Sequence, residues 1–287
     1  MVVEMSALKS NKIKIIFTTV ICFFLYICGW LIYHMDVIIA NRANQTPYPF
    51  YTTSPEDEHL IAHAGGSIDG HIYTNSQEAY AQAIKKNMKF IEVDLSETTD
   101  GKYAAVHDWE LFNHSIGLQT DKPQSLATIH QSKIYGQYSP LDEKQIAQLM
   151  LDNPQLMMIT DKSRDVKHIA SAFPFHDRLI VQTFHIYDYI KALKAGIKYP
   201  TLRLKGGRRG ITAYYKKLIE LVNVKSVILG ELSFNKNKDY IKELHDKGVT
   251  VILYGNPSYK IVENKDEIKK YAGTYIDLFD SDNLNKL

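Results

Sequence analysis

Phe90-Ile91-Glu92-Val93-Asp94-Leu95, then Thr99-Asp100-Gly101-Lys102, then Tyr103-Ala104-Ala105-Val106-His107 bring two acids, a turn signal and an imidazole together within 18 residues. Residues two apart on a strand point to the same side, so Glu92 and Asp94 project together while Ile91 and Val93 face the other way. The Asp-Gly segment reads as a tight turn into a second short strand, which returns His107 toward the two acids. Adjacent inward carboxylates repel unless a cation compensates. Two hard oxygen donors on one face suit Mg²⁺ or Ca²⁺. An imidazole titrates near neutral pH, where it serves as acid or base.

Working outward, Ile61-Ala62-His63-Ala64-Gly65-Gly66 places a second imidazole at the end of a strand over 59–63. Further strands are expected at 156–161, 179–183, 201–204, 226–229, 250–254 and 275–279. Helical stretches at 76–87, 142–151, 165–173, 186–195, 212–222, 238–247 and 265–271 alternate with them. Gly196, Gly248 and Gly273 each follow a helical run, as expected of helix stop signals. Eight strands alternating with helices over about 230 residues predict an α/β fold, a (β/α)8 TIM barrel. A doubly wound open sheet is the alternative. In such barrels chemistry sits at the C-terminal strand ends, which is where His63, Glu92 and Asp94 fall. Two imidazoles flanking paired carboxylates are suited to cleaving a phosphodiester.

The chain has 287 residues, 45% hydrophobic and 23% charged, with a net charge of +2. That balance lacks the basic excess that nucleic-acid binding usually needs, so no nucleic acid is expected as a partner. Both cysteines, Cys22 and Cys28, lie in an N-terminal apolar run, so neither disulfides nor thiolate metal sites are expected after it. From Ile15 to Tyr33 that run carries no charge, and as a helix it spans the roughly 30 Å of bilayer hydrocarbon. Lys9, Lys12 and Lys14 precede it, which places the N-terminus in the cytoplasm. The expected organisation is a cytoplasmic tail (1–14), a membrane anchor (15–35), a linker (36–57) with Pro47, Pro49 and Pro55, and an extracytoplasmic barrel (58–287). A cleaved signal peptide is the alternative for the apolar run.

Residues 60–108 resemble the glycerophosphodiester phosphodiesterases and, more broadly, the PI-PLC-like phosphodiesterase superfamily. His63-Ala64-Gly65 sits at the family's His-Arg-Gly, Thr74-Asn75-Ser76 at its Glu-Asn-Thr/Ser, and Glu92-Val93-Asp94 at its Glu-x-Asp. Val106-His107-Asp108 sits at its second histidine, Gln182-Thr183-Phe184 resembles its Gln-Ser-Phe, and Tyr254 takes a place often held by Trp. The resemblance implies that His63 and His107 act as general acid and base, with their order open. It implies that Glu92 and Asp94 bind a divalent cation (Mg or Ca) with Asn75 close by, and that the substrate is a phosphodiester.

Two departures from the family pattern matter. Ala64 replaces the motif arginine, a charge that Arg203 or Lys205, followed by Gly206-Gly207-Arg208-Arg209, could supply. The family also places an acid two residues before a lysine, whereas here Asp161 and Lys162 are adjacent. Alternation points neighbours to opposite sides unless a bulge or strand end intervenes. Asp161 is expected as a third metal ligand, and Lys162, Gln182, Arg203 and Tyr254 as contacts to substrate or phosphate. His71, Asp69, His114 and His130 are expected to be loop or surface groups, with His185 and Glu231 nearer the mouth because they follow strands. The expected function is a metal-dependent, membrane-anchored phosphodiesterase. A lyase stopping at a cyclic phosphate and a catalytically inactive binding barrel are the alternatives.

Overall fold

The structure, a computed structural model, describes residues 14–32, 35, 59–205, 210–255, 261–282 and 284. The expected tail before Lys14, the 36–57 linker and the Gly206-Gly207-Arg208-Arg209 cluster lie outside the described residues. The chain divides into two units, 1–44 and 45–287. In the first, helix α1 (Lys14–Ile32) runs for 19 residues at a mean hydropathy of 2.4 with no buried share. By length and composition it is sufficient to cross a membrane.

The second unit is built on β1 (Leu60–Ala62), α2 (Gln77–Lys85), β2 (Phe90–Glu97), β3 (Tyr103–Ala105), α3 (Trp109–Ser115), α4 (Leu126–Gln131), α5 (Glu143–Asp152) and β4 (Met157–Asp161). It continues through α6 (Val166–Ala172), β5 (Leu179–Thr183), α7 (Ile186–Lys194), β6 (Tyr199–Arg203), α8 (Ala213–Val222) and β7 (Ser226–Gly230). It ends with α9 (Glu231–Lys236), α10 (Lys238–Asp246), β8 (Thr250–Tyr254), α11 (Lys265–Tyr271) and β9 (Leu278–Ser281). The strand order is β1-β9-β8-β7-β6-β5-β4-β2-β3, and β1 also pairs with β2. That last pairing closes the ring, so the eight parallel strands other than β3 form a TIM barrel and the open-sheet alternative is excluded.

Strand alternation explains what fills the barrel. Ile61, Phe90, Met157, Ile159, Ile180, Tyr199, Ile228, Ile252 and Leu278 pack as one buried apolar cluster. All lie on the inward parity of their strands, and they plug the interior below the mouth. Moving two residues at a time toward each C-terminal end meets, on the same parity, His63, Glu92 and Asp94, Asp161, Gln182, Arg203, Tyr254, Asp280 and Asp282. On seven of the eight barrel strands that face changes from hydrocarbon to polar chemistry toward the mouth, and on β7 it ends at Gly230.

Strand β2 outruns the barrel and turns back as a hairpin, with Leu95, Ser96 and Glu97 opposite Ala105, Ala104 and Tyr103. Gly101, at φ 67° in the turn, takes the left-handed conformation that the Asp-Gly signal anticipated. The excursion that follows carries α3 and α4, which sequence patterning did not anticipate because each is short. Their starts are set by caps, Asp108 accepting from Leu111 N–H and Ser125 from Thr128 N–H. They enclose a second small core of Ala104, Val106, Phe112, Ile129, Ile134 and Tyr138.

Candidate active site

Each candidate side chain is held by a specific local device. Backbone N–H of Ala64, buried and at φ 48°, donates to Glu92 Oε2 at 2.9 Å. Asn75, also left-handed at φ 47°, donates from Nδ2 to Asp94 Oδ2 at 2.9 Å. Its Oδ1 accepts from Tyr80 OH at 2.7 Å and from Asp94 N–H at 3.2 Å. Asn75 is fully buried, with its amide bonded to Asp94 and Tyr80.

The Asp161–Lys162 problem is solved at the strand end. Strand β4 stops at Asp161, and Lys162 takes φ 67°, so alternation no longer separates the neighbours. Asp161 Oδ1 accepts from Lys162 N–H at 2.6 Å and from Gln182 Nε2 at 2.5 Å. Gln182 therefore helps to orient the Asp161 carboxylate and lines the same cavity. Carboxylate oxygens of Glu92, Asp94 and Asp161 lie within 4.8 Å of one another.

The two imidazoles sit in opposite electrostatic settings. His63 Nδ1 bonds Asp282 Oδ1 at 2.8 Å, while His107 Nε2 lies 3.1 Å from Lys162 Nζ. Burial pulls the His63 pKa down, but Asp280, the Asp282 hydrogen bond and Glu92 outweigh it and hold it well above the ordinary value. Burial lowers the His107 pKa and Lys162 adds to this, so it lies below the ordinary value despite Asp94. The Tyr73 ring stands between them, 4.9 Å from His63 and 4.3 Å from His107, centroid to centroid. The hairpin delivers His107: Val106 N–H donates to Asp94 O at 2.9 Å, which keys the second histidine to the acidic strand.

Arg203 faces the same small cavity as His63, Glu92, Asp161, Gln182, Tyr254 and Asp280. Its Nη2 donates to Tyr254 OH at 2.7 Å, and its guanidinium lies over the Phe184 and Tyr254 rings at 5.7 and 4.9 Å. Tyr254 thus braces the arginine. Lys205 instead lines a neighbouring cavity with Phe184 and His185. Glu231, expected near the mouth, is structural: its Oε1 accepts from Ile261 and Val262 N–H at 2.9 and 3.0 Å.

Asp280 and Asp282 are the residues that sequence reasoning missed. The last strand was expected at 275–279, but β9 begins at Leu278. Tyr275 packs instead beside Phe234 and Tyr271, outside any strand. The shift brings Leu278, Asp280 and Asp282 onto one face, the same alternation of acids as Glu92 and Asp94. That repeated Asp-x-Asp at a strand end was the available signal. Asp280 is buried among the acids and its pKa is pushed up to about 7, by burial first and then by Asp282 and Asp94. Asp282→Asn keeps an acceptor for His63 but removes the charge. It is expected to lower kcat about tenfold or more with KM little changed, since one pKa unit is about 1.4 kcal/mol.

Burial raises the Glu92 pKa well above the ordinary carboxylate range, and the adjacent Asp94 charge adds to it. Burial likewise raises Asp94. Asp280 Oδ1 is buried with no hydrogen-bond partner among the described residues. Clustered carboxylates with hard oxygen donors and an orphaned acid oxygen are the environment that a divalent cation stabilises. The residues present fit such an ion.

A closed (β/α)8 barrel with two imidazoles and an acidic cluster at its C-terminal mouth defines a phosphodiesterase class of barrel. Residues 63–285 match the glycerophosphoryl diester phosphodiesterase family, and the chain belongs to that family. It is, accordingly, a phosphoric diester hydrolase. The fold is similar to a glycerophosphoryl diester phosphodiesterase from Parabacteroides distasonis, at TM-score 0.63 and 15% identity, covering 81% of this chain and 86% of that one. It is similar to an Oleispira antarctica phosphodiesterase solved with the product sn-glycerol-3-phosphate, at TM-score 0.62 and 16% identity, covering 81% and 95%. A Thermotoga maritima glycerophosphodiester phosphodiesterase gives TM-score 0.57 and 16% identity, covering 78% and 94%. No curated protein matches the chain.

Proposed function

We propose that this chain is a metal-dependent hydrolase of glycerophosphodiesters or related phosphodiesters, of which lysophospholipids and glycerophosphate polymers are the two classes weighed. The observation that carries the reading is the meeting of His63, His107, Glu92, Asp94 and Asp161 at one barrel mouth. Glu92, Asp94 and Asp161 would hold Mg²⁺ or Ca²⁺. When bound, the ion supplies positive charge to a non-bridging phosphate oxygen as charge builds up in the displacement.

The partners of the two imidazoles support one order of roles. His107, facing an ammonium, is neutral and takes the proton from the attacking glycerol 2-hydroxyl, which closes a cyclic phosphate as the leaving alcohol departs; water then opens that ring with the roles of the two histidines reversed. His63, held by the Asp282 carboxylate, is protonated and gives a proton from Nε2 to the leaving oxygen. Lys162 lies within reach of both His107 and Asp94, the latter at 4.0 Å. Moving to a phosphate oxygen, it would release the His107 lone pair it shares at rest. Arg203, fixed by Tyr254, is the second phosphate contact.

Asp161 beside Glu92 and Asp94 supports a three-carboxylate cation site. On the anchor reading of α1, the N-terminus is cytoplasmic and the barrel extracytoplasmic. The test is turnover of glycerophosphodiesters by the full chain in amphipol, with and without chelator, together with thermal melting in Mg²⁺ or Ca²⁺. A cation at about 100 times its Kd stabilises by roughly 2.7 kcal/mol. Turnover indifferent to chelator, with no melting shift, overturns the metal-dependent reading.

A further inference from the structure

We propose that the cavity beside His107 is a subsite for an apolar chain carried on the glycerol of the substrate, which makes single-chain phosphodiesters the preferred substrate class. The inference rests on the phosphodiesterase reading above. The cavity holds about 410 Å³ and is walled by Ile72, Tyr73, Val106, Leu111 and Phe112, with His107 itself in the lining. That size is within the roughly 300–1,000 Å³ of small-molecule sites, and glycerol alone leaves most of it unfilled.

The cavity borders the reaction centre. His107 stands in its lining beside Tyr73, whose ring lies 4.3 Å from that of His107 and 4.9 Å from that of His63. Since His107 is assigned the attacking hydroxyl, a group entering here is attached on the glycerol side of phosphorus. The leaving alcohol departs past His63.

Its walls are built rather than incidental. His71 stacks on Tyr135 at 3.9 Å, and Tyr138 OH donates to Asp69 at 2.6 Å, which ties the segment after β1 to the excursion after β3. Tyr73 and Tyr135 are held at φ 58° and 52°, conformations that side-chain-bearing residues adopt at a cost and that gather at ligand sites.

The chemistry of the lining selects between the two substrate classes. Among the described residues no lysine or arginine lines the cavity, and its one acid, Asp108, spends its carboxylate on Leu111 N–H at 3.0 Å. A polyanionic glycerophosphate chain finds no lysine or arginine there among the described residues. Leu111 and Tyr135, 54% and 45% exposed, instead offer apolar surface at the rim, where a chain can cover it.

The experiment uses the full chain in amphipol and monomeric substrates below their micelle concentrations. One series is glycerophosphocholine and its 1-acyl derivatives of increasing chain length. A second carries the alkyl chain on the leaving alcohol instead. Each methylene that enters the cavity is worth up to about fourfold in kcat/KM, so the acyl series is expected to rise at least tenfold before it levels off. Leu111→Asp places a charge at the rim. It falls in the first turn of α3, where an acid favours the helix and folding is retained. It is expected to cut the ratio of long-chain to chainless kcat/KM by about tenfold.

A flat acyl series with the chainless diester still turned over overturns the subsite and leaves the phosphodiesterase reading intact. A rise confined to alkyl leaving alcohols, or one unaffected by Leu111→Asp, overturns it equally. If no diester is turned over, calorimetric binding of the acyl series decides. Affinity that grows with chain length in the wild type and not in Leu111→Asp supports the subsite, and affinity independent of chain length removes it.

Discussion

Replacing His107 by glutamine is expected to lower kcat for a glycerophosphodiester by about 10²- to 10⁴-fold, the usual worth of a positioned acid or base. KM should change little, because the imidazole acts on the proton in flight rather than on bound substrate. His63→Gln should do the same. The double variant should lose far less than the product of the two, since groups that act as a unit are not additive. Steady-state kinetics on the three proteins decides the matter. A His107 variant within a few-fold of wild type would remove the two-imidazole mechanism.

Asp94→Asn is expected to cost at least about 100-fold in turnover and to abolish the melting shift produced by Mg²⁺ or Ca²⁺. The metal-free protein should nevertheless melt no lower than wild type. Asp94 is buried beside Glu92 and Asp161, and Asn75 donates to it through Nδ2, a bond that an asparagine oxygen also accepts. Removing one of several crowded charges relieves repulsion that the fold otherwise carries for its function. Melting curves with and without cation, beside activity, separate this from simple misfolding. A variant destabilised without metal and still responsive to it would contradict the assignment.

Much of this site was legible in sequence because two periodicities carry it. Alternation along Phe90–Leu95 put Glu92 and Asp94 on one face, and the Asp-Gly turn returned His107, as the hairpin shows. Helix boundaries followed caps and glycines closely, with Gly196, Gly248 and Gly273 all left-handed. The reading weakened where local rules conflict with packing. Tyr275 and Ile276 look like strand residues, but they fill a corner beside α11, so the true strand and its two acids slipped from view. Lys162 broke alternation through a single positive φ, which no pattern in a side-chain sequence announces. Asn75 and Gln182 were recognised as important, but whether each touches ligand or holds a carboxylate depends on distances of an ångström. The short helices α3 and α4 lack enough turns to show a period at all.

The excursion between β3 and α5 is stapled at both ends. Ala105 N–H donates to Leu141 O at 2.9 Å, and Ala104 bridges Asp142. What lies between those staples forms one wall of the chain subsite but contributes no carboxylate to the cation cluster. Loop length there carries only a slow, logarithmic entropic cost. Recognition and reaction are in this sense separate cassettes. A different insert grafted between Val106 and Leu141, with His107 retained, would give the same reaction a new choice of tail.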